Sequence, residues 1–302
     1  MCGSLPLTKS VELPSDIERE IFEVTARNFP GTAVKLAGLS KTVQHWMEWI
    51  IYETVVLDLP SSRTAALLRT IEAKPAGFFS RRVKRLYLSY SVTPAEAERI
   101  LSVCTGLTQL TCWIQHQHDG WLLRYLNSTP LSHLTRLSIK LDMVTERNSI
   151  PSFSDELYQN LTHLDIVLPP PLNSGTLIDW EALIALPHLK HLIIGDLFPS
   201  EHMYLIPVLR QLLHSGPALE VLAIITNEPA MRGALESENF DDPRMLIIPR
   251  FNWPFDLPTY WKKLYRSELD GWEPTADKAK AQHLEWNTKR CHSFSQTNSL
   301  SP

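Results

Sequence analysis

Apolar residues recur in this chain in a six-residue figure, leucine-x-x-leucine-x-leucine, that returns six times with small substitutions. Its apolar positions are Val83, Leu86 and Leu88; Leu107, Leu110 and Cys112; Leu134, Leu137 and Ile139; Leu161, Leu164 and Ile166; Leu189, Leu192 and Ile194; and Leu219, Leu222 and Ile224. Alternate residues of a short extended segment point to one face, so each figure predicts a strand with one apolar side. The central leucines fall at 86, 110, 137, 164, 192 and 222, close to the roughly 20–29 residue period of leucine-rich units. Tyr52 to Leu57, through Val55, reads as an earlier unit, and Arg244 to Ile248, through Leu246, as a late one. One strand and one helix cannot bury such a face alone, so neighbours must stack into a continuous core. The predicted fold is α/β: a leucine-rich-repeat solenoid of irregular strand–helix units over residues 52–248.

The segments between the strands supply the helices. The clearest is Pro94–Val103, with Thr93 as cap, Pro94 at the first position, and Ala97, Ile100 and Leu101 facing inward. Residues 176–186 and 203–213 read the same way. Gly106, Gly195 and Gly216 stand where elements end.

The flanks break the repeat. Before it, residues 13–51 form a helical unit. Ser15 and Asp16 follow Pro14 as candidate caps, and Ile17, Ile21, Phe22 and Val24 have helical spacing. Pro30-Gly31 ends that helix, and Val34, Leu36, Leu39, Val43, Trp46 and Ile50 predict a second. After the repeat, residues 249–292 carry Trp253, Trp261, Trp272 and Trp286, with helices expected over 258–269 and 276–290. A solenoid's last unit needs its apolar edge covered, so this segment is expected to be a C-terminal helical cap. A second binding site built on the tryptophans is the other reading. Residues 1–12 are expected to be a flexible N-terminus, and the polar residues 293–302 a disordered tail.

Composition narrows the function. The 302 residues are 44% hydrophobic, enough for a sizeable core, and the formal charge is −4, which argues against nucleic acid as the main partner. The short basic run Arg81, Arg82, Lys84 and Arg85 reads as a solvated strand entry. Cys2, Cys104, Cys112 and Cys291 lack framework spacing and are expected to be reduced thiols. Residues 1–20 lack the signature of a signal peptide, Cys at position 2 rules out N-myristoylation, and no stretch approaches a membrane span. The expected location is the cytoplasm or the nucleus, with no membrane partner.

Catalytic and cofactor motifs are missing. No phosphate-cradling G-x-x-x-x-G-K-[ST] occurs, nor G-x-G-x-x-G, and the chain holds only 11 glycines. His116, His118 and Asp119 near Cys112 match no metal framework, and Cys112 takes an inward repeat position. His163 and His191 share one repeat position, and Asp165 stands close to His163, but no nucleophile elbow accompanies them. The chain is therefore expected to be no enzyme and to need no cofactor or metal. A hydrolase site assembled across loops is the alternative from another class.

The residues Leu13-Pro14, Ile17, Ile21-Phe22, Leu36, Leu39-Ser40-Lys41 and Trp49 resemble the F-box pattern, which opens on Leu-Pro, runs through a helix with Ile-Phe and carries a Val-Ser-Lys element and a later Trp. Two places depart from it: the 27–31 segment lacks the usual acidic-Leu element, and Val43 stands where many F-boxes carry Trp. With the repeats behind it, most of the chain resembles F-box/leucine-rich-repeat proteins, nearest to the F-box-like proteins common in mushroom-forming fungi. The resemblance implies docking on the adaptor Skp1 within a cullin-based ubiquitin ligase, with the repeats holding an unidentified protein substrate. The adaptor-facing residues it implies are Leu13, Pro14, Ile17, Ile21, Phe22, Leu39 and Trp49. The alternative is a stand-alone scaffold whose helical unit only caps the first repeat.

In such solenoids the strands line the concave face, and the non-leucine positions of each figure point into it. Three columns follow. Arg85, Gln109, Arg136, His163 and His191 form one; Tyr87, Thr111, Ser138, Asp165 and Ile193 the next; Ser89, Trp113, Lys140 and Val167 the third. Arg, Tyr and Trp are enriched at binding hot spots, so this face is the expected partner surface.

Overall fold

The computed structural model describes residues 13–29, 31–114, 120–128, 131–140, 153–167, 179–195, 203–216, 218–237, 240, 242–249, 277–282 and 284. The chain divides into two compact units, Met1–Thr54 and Val55–Pro302.

The first unit is helical. Helix α1, Ser15–Asn28, begins directly after Pro14, and no side chain caps it. Ser15 and Asp16, expected as caps, lie inside the first turn instead, where Asp16 and Glu18 complement the partial positive charge of the helix start. Gly31, at φ +84°, turns the chain into α2, Thr32–Leu36. The single helix expected from Val34 to Ile50 is two. Ser40 is extended, its hydroxyl accepts the Val43 N–H at 3.1 Å, and α3, Lys41–Ile51, starts there. The small core joins Ala26, Ala33, Val43, Trp46 and Met47, with Phe22 packed against it. The Phe22 and Trp46 rings are 6.3 Å apart.

The second unit alternates strands and helices: β1 (Thr54–Leu57), α4 (Ser62–Ala73), α5 (Phe78–Arg82), β2 (Arg85–Leu88), α6 (Pro94–Val103), β3 (Gln109–Cys112), α7 (Trp121–Ser128), β4 (Arg136–Lys140), α8 (Glu156–Gln159), β5 (His163–Val167), α9 (Trp180–Ile184), β6 (His191–Gly195), α10 (Leu205–Ser215), β7 (Val221–Ile225), α11 (Pro229–Ser237) and β8 (Met245–Ile248). The strands form one open, eight-stranded parallel sheet in chain order, β1 to β8. Sequential order with parallel pairing sends every crossover the same way, so one face of the sheet receives the connecting helices.

Register is strict. Leu86 faces Leu110, which faces Leu137, then Leu164, Leu192 and Leu222. Every member of this column is fully buried. A second ladder, unread in the sequence, fixes the same alignment. The hydroxyls of Thr108, Thr135 and Thr162 donate to the carbonyls of Lys84, Thr108 and Thr135, at 3.1, 3.3 and 3.1 Å. Each threonine precedes its strand and ties it to the unit before. Helix α6 matches expectation: Thr93 and Glu96 form a capping box, and Ala97, Ile100 and Leu101 are buried. The helix expected over 176–186 is helical only at Trp180–Ile184, because the Asp179 carboxylate accepts the Ala182 N–H and sets the start there; 176–178 lie outside the described residues. The one expected over 203–213 begins at Leu205 and runs to Ser215. Gly106 is required by a close approach, since a Cβ there would sit 1.9 Å from the Ser80 carbonyl oxygen. Arg82, expected in a solvated run, is buried, with its guanidinium 4.0 Å over the Phe78 ring.

The last strand is one residue out of the expected alignment. Leu222 faces Met245, not Leu246, so Met245 and Ile247 continue the inward column and Leu246 turns to the open face. There Leu246 joins Ile193, Val221 and Ala223 in an apolar cluster completed by Ala279. Residues 277–282 are helical. From this segment the Gln282 amide accepts the Ile247 N–H at 2.7 Å and donates to the Ile247 carbonyl at 2.9 Å. A carboxamide thus supplies the edge strand with what a further peptide group would give. The expected helix 258–269, the rest of 276–290 apart from residue 284, all four C-terminal tryptophans and the two ends, 1–12 and 293–302, lie outside the described residues.

Two outcomes follow. Leu137→Ala should cost about 2–5 kcal/mol in urea unfolding, whereas Lys190→Ala, which breaks only an exposed 2.7 Å pair with Glu220, should cost under about 1 kcal/mol. Gln282→Ala should cost about 1 kcal/mol and speed hydrogen exchange at the Ile247 amide while leaving β4 unchanged.

Candidate functional site

Two surfaces carry the candidate residues, one in each unit. On α1, Ile17 and Ile21 are spaced four apart and line one side of the helix, and Leu13 lies just before its first turn. Leu13, Ile17 and Ile21 are 54, 41 and 51% exposed, and Val24, at 52%, extends the helical row. Phe22 points the other way, half-buried against Trp46. Pro14 is exposed at the helix start, where its carbonyl accepts the Glu18 N–H at 3.0 Å. Leu39 is exposed in the turn between α2 and α3, and Trp49 is exposed on α3 while Trp46 is buried. Phe29 and Val34 are exposed as well. Helix α1 is therefore apolar on two sides: one is used by its own core, and the other is open. The sequence signal for this was present, since Ile17, Ile21 and Val24 fall on a different stripe from Phe22 and Ala26.

The second surface is the open face of the sheet. The three expected columns exist in register: Arg85 to His191 and Tyr87 to Ile193 align strand by strand, and Lys140 faces Val167. Trp113 and Ser89 continue the third, the first donating its N–H to Leu88 and the second to Leu57. The face is less open than expected. Tyr87, Gln109, Thr111, Ser138, Ser89 and Ile193 are buried. Arg85, Trp113, Arg136, Lys140, His163, Asp165 and His191 are half-buried. Parallel strands lie only about 4.8 Å apart, so residues of one column pack on each other and shield the smaller ones.

The central residues are connected. The Trp113 indole N–H donates to the Ser138 hydroxyl at 2.9 Å, and that hydroxyl donates to Asp165 Oδ2 at 2.6 Å. Asp165 Oδ1 is buried without a hydrogen-bond partner. Burial pushes the Asp165 carboxyl up to about 7, against a smaller lowering from the Ser138 bond. Beside it the His163 and His191 rings stack 4.2 Å apart, and His163 Nδ1 lies 2.8 Å from the Thr162 hydroxyl. At the carboxyl ends of the strands, Ser89 donates to buried Asp58 at 2.7 Å, and the Lys140 ammonium sits 6.0 Å over the Tyr90 ring. Burial, then the nearby Asp58 charge, raises the Tyr90 phenol well above its usual range.

Nucleophilic and metal chemistry find little here. The Cys104 and Cys112 thiols are buried and pushed up to about 12 by desolvation, which keeps them protonated. Among the described residues no group of three or more His, Cys, Asp or Glu could hold a metal, and His116, His118 and Asp119 lie outside them. A crevice beside α9 and α10 is lined by Leu183, Leu186, Leu189, Leu212 and Leu219, with no titratable group. Among the described residues no helix is long and apolar enough to cross a membrane. Compared with known proteins, the chain matches no family model, no curated protein and no solved structure.

The Asp165 carboxyl sets a pH dependence. Its folded value, about 7, lies above the ordinary 3.8, so the folded state holds the proton more tightly than the unfolded one. Stability is fully present below the ordinary value and is lost as pH rises towards about 7, above which it levels off. Asp165→Asn keeps an acceptor for Ser138 and removes the titration. Its urea midpoint should change less across that window than the wild-type midpoint, and it should exceed wild type at about pH 8. Identical pH profiles for the two proteins would show that Asp165 titrates normally.

Proposed function

We propose that this chain is a protein-interaction module without chemistry of its own: a solenoid of leucine-rich strand–helix repeats, preceded by an F-box-like helical unit, that recruits a protein target to a cullin-based ubiquitin ligase through a Skp1-type adaptor. The observation that carries the reading is the open apolar row Ile17, Ile21 and Val24 on α1, with exposed Leu13 just before the helix. A helix that has already buried Phe22 and Ala26 in its own core gains nothing from a second apolar stripe in water. Burying it against a partner gains roughly 25 cal/mol per Å² of apolar area, and contiguous patches of this kind mark interaction sites. Three of the four are residues that the F-box resemblance places against the adaptor.

The repeat architecture supports the same reading. A register-locked parallel sheet with helices on one face leaves the β2–β5 part of the opposite face for a target, and half-buried Arg85, Trp113, Arg136, Lys140 and two stacked histidines suit a protein surface better than a small ligand. The segment holding Ala279 and Gln282 closes the β8 end, as a terminal cap would. The reading places the protein in the cytoplasm or nucleus, with no cofactor.

Co-purification of the full chain with Skp1 tests it. The informative variant is Ile17→Asp with Ile21→Asp, because both residues are exposed, whereas Phe22 supports the fold. The double variant should keep the wild-type circular dichroism spectrum and weaken binding by about 2 kcal/mol or more. A folded wild-type chain that does not bind Skp1 would contradict adaptor docking and leave a stand-alone scaffold.

A further inference from the structure

We propose that the β2–β5 part of the open strand face takes an acidic segment of a protein partner, whose carboxylates, spaced along an extended chain, meet Arg85, Arg136 and Lys140. The inference rests on reading that face as the partner surface, and adds the chemistry of what binds there. Its first support is the sign of the charge left at the surface. The open positions of β2 to β5 carry three permanent cations, Arg85, Arg136 and Lys140, each half-buried with part of its side chain open to solvent. The one carboxyl group among these positions is Asp165, which accepts from Ser138 and has its other oxygen buried. Burial raises that carboxyl to about 7, so near neutrality it offsets only part of one charge. Just beyond β1, Asp58 is buried and held by Ser89. Towards β7, exposed Lys190 and Glu220 pair with each other at 2.7 Å. The chain as a whole has a formal charge of −4, so the positive excess is local to this face. A face of one sign attracts segments of the other and repels its own.

The second support is spacing. Arg85 and Arg136 share one column on either side of buried Gln109, two strands apart, so their backbones are about 10 Å from each other. Arg136 and Lys140 stand at the two ends of β4, about 13 Å apart along the strand. The Lys140 ammonium is held over the ring of Tyr90, past the carboxyl end of β2 and away from Arg136. This layout favours single charges three to four residues apart on an extended segment, at about 3.3 Å per residue, over one phosphate on which cations converge. Trp113 adds an apolar contact within it. It stands beside Lys140 in the third column, and its N–H is tied to the Ser138 hydroxyl at 2.9 Å, so the ring is held in place before a partner arrives. A fixed aromatic ring among spaced cations suits acidic residues interrupted by an apolar one.

Selection of a displayed random nonapeptide library on the full chain at neutral pH tests the inference, with the double variant Arg85→Gln, Arg136→Gln in parallel. A second double variant, Arg63→Gln, Arg69→Gln, removes the same charge from exposed positions of α4 and controls for net charge. Retention of the Trp113 indole N–H resonance in each would show that the strand face survives. The expected result is enrichment of aspartate and glutamate on the wild type. A selected acidic peptide should lose at least about tenfold in affinity on the Arg85, Arg136 variant, about threefold or more on Lys140→Gln, and under about twofold on the α4 variant. Its binding should weaken as salt is raised. Selected peptides without acidic residues, or equal losses on the two double variants, would overturn the acidic preference while leaving the face as a partner surface. A singly phosphorylated peptide or a single-stranded oligonucleotide that binds this face more tightly than the selected acidic peptide would also overturn it. Selection of no peptide by the folded wild type would overturn both the preference and the partner surface. None of these results bears on the α1 row, whose test is co-purification with Skp1.

Discussion

Between β2 and β7 each inward leucine lies against the leucine of the neighbouring unit, from Leu86 through Leu110, Leu137, Leu164 and Leu192 to Leu222. A shift of one residue in any strand would turn its leucines to the other face and strand them outside the core. The threonine hydroxyls of 108, 135 and 162 reinforce the alignment by reaching back to the preceding unit's carbonyl. Everything on the opposite face inherits this order. Trp113, Ser138 and Asp165 form a continuous chain because three strands are held in step, and His163 stacks on His191 for the same reason.

The open face is divided by chemistry along the sheet. From β2 to β5 it is polar, with Arg85, Arg136, Lys140, His163 and Asp165 half-buried beside buried Gln109, Thr111 and Ser138. From β6 to β8 it is apolar, and Ile193, Val221, Ala223 and Leu246 are covered by the helical segment carrying Ala279. The free edge that a parallel sheet leaves at β8 is met by the Gln282 amide. The polar half holds the hydrogen-bonded chain from Trp113 to Asp165, while in the helical unit α1 presents apolar side chains to solvent. The two surfaces differ in character, one apolar and one polar, and the proposed function assigns each a different partner.

Much of this was legible before any coordinates. The repeat of Leu-x-x-Leu-x-Leu carried the strands, their order and the three columns, because period-two alternation and unit spacing are properties of the chain itself. Thr93 with Glu96, and Pro94, marked α6 for the same local reason. What escaped depends on neighbours. Tyr87, Gln109, Thr111 and Ser138 sit at outward positions yet are buried, since burial is set by adjacent strands. The β8 slip was hidden because Met245, Leu246, Ile247 and Ile248 are all apolar, so alternation gave no phase. The break at Ser40 was masked by apolar residues on both sides of it. The leucine-threonine pairs at 107–108, 134–135 and 161–162 were visible and unread. The unsatisfied Asp165 oxygen had no sequence signal at all, since it arises from three strands meeting.

The central claim is that the helical unit engages an adaptor through α1 while the strand face stays available to a target. Hydrogen exchange of the full chain, with and without purified Skp1, addresses both halves at once. The account predicts slowed exchange confined to the helical unit, over α1 and the turn before α3, with β2 to β8 unchanged. Unchanged exchange throughout, or protection appearing on the sheet instead of α1, would contradict it.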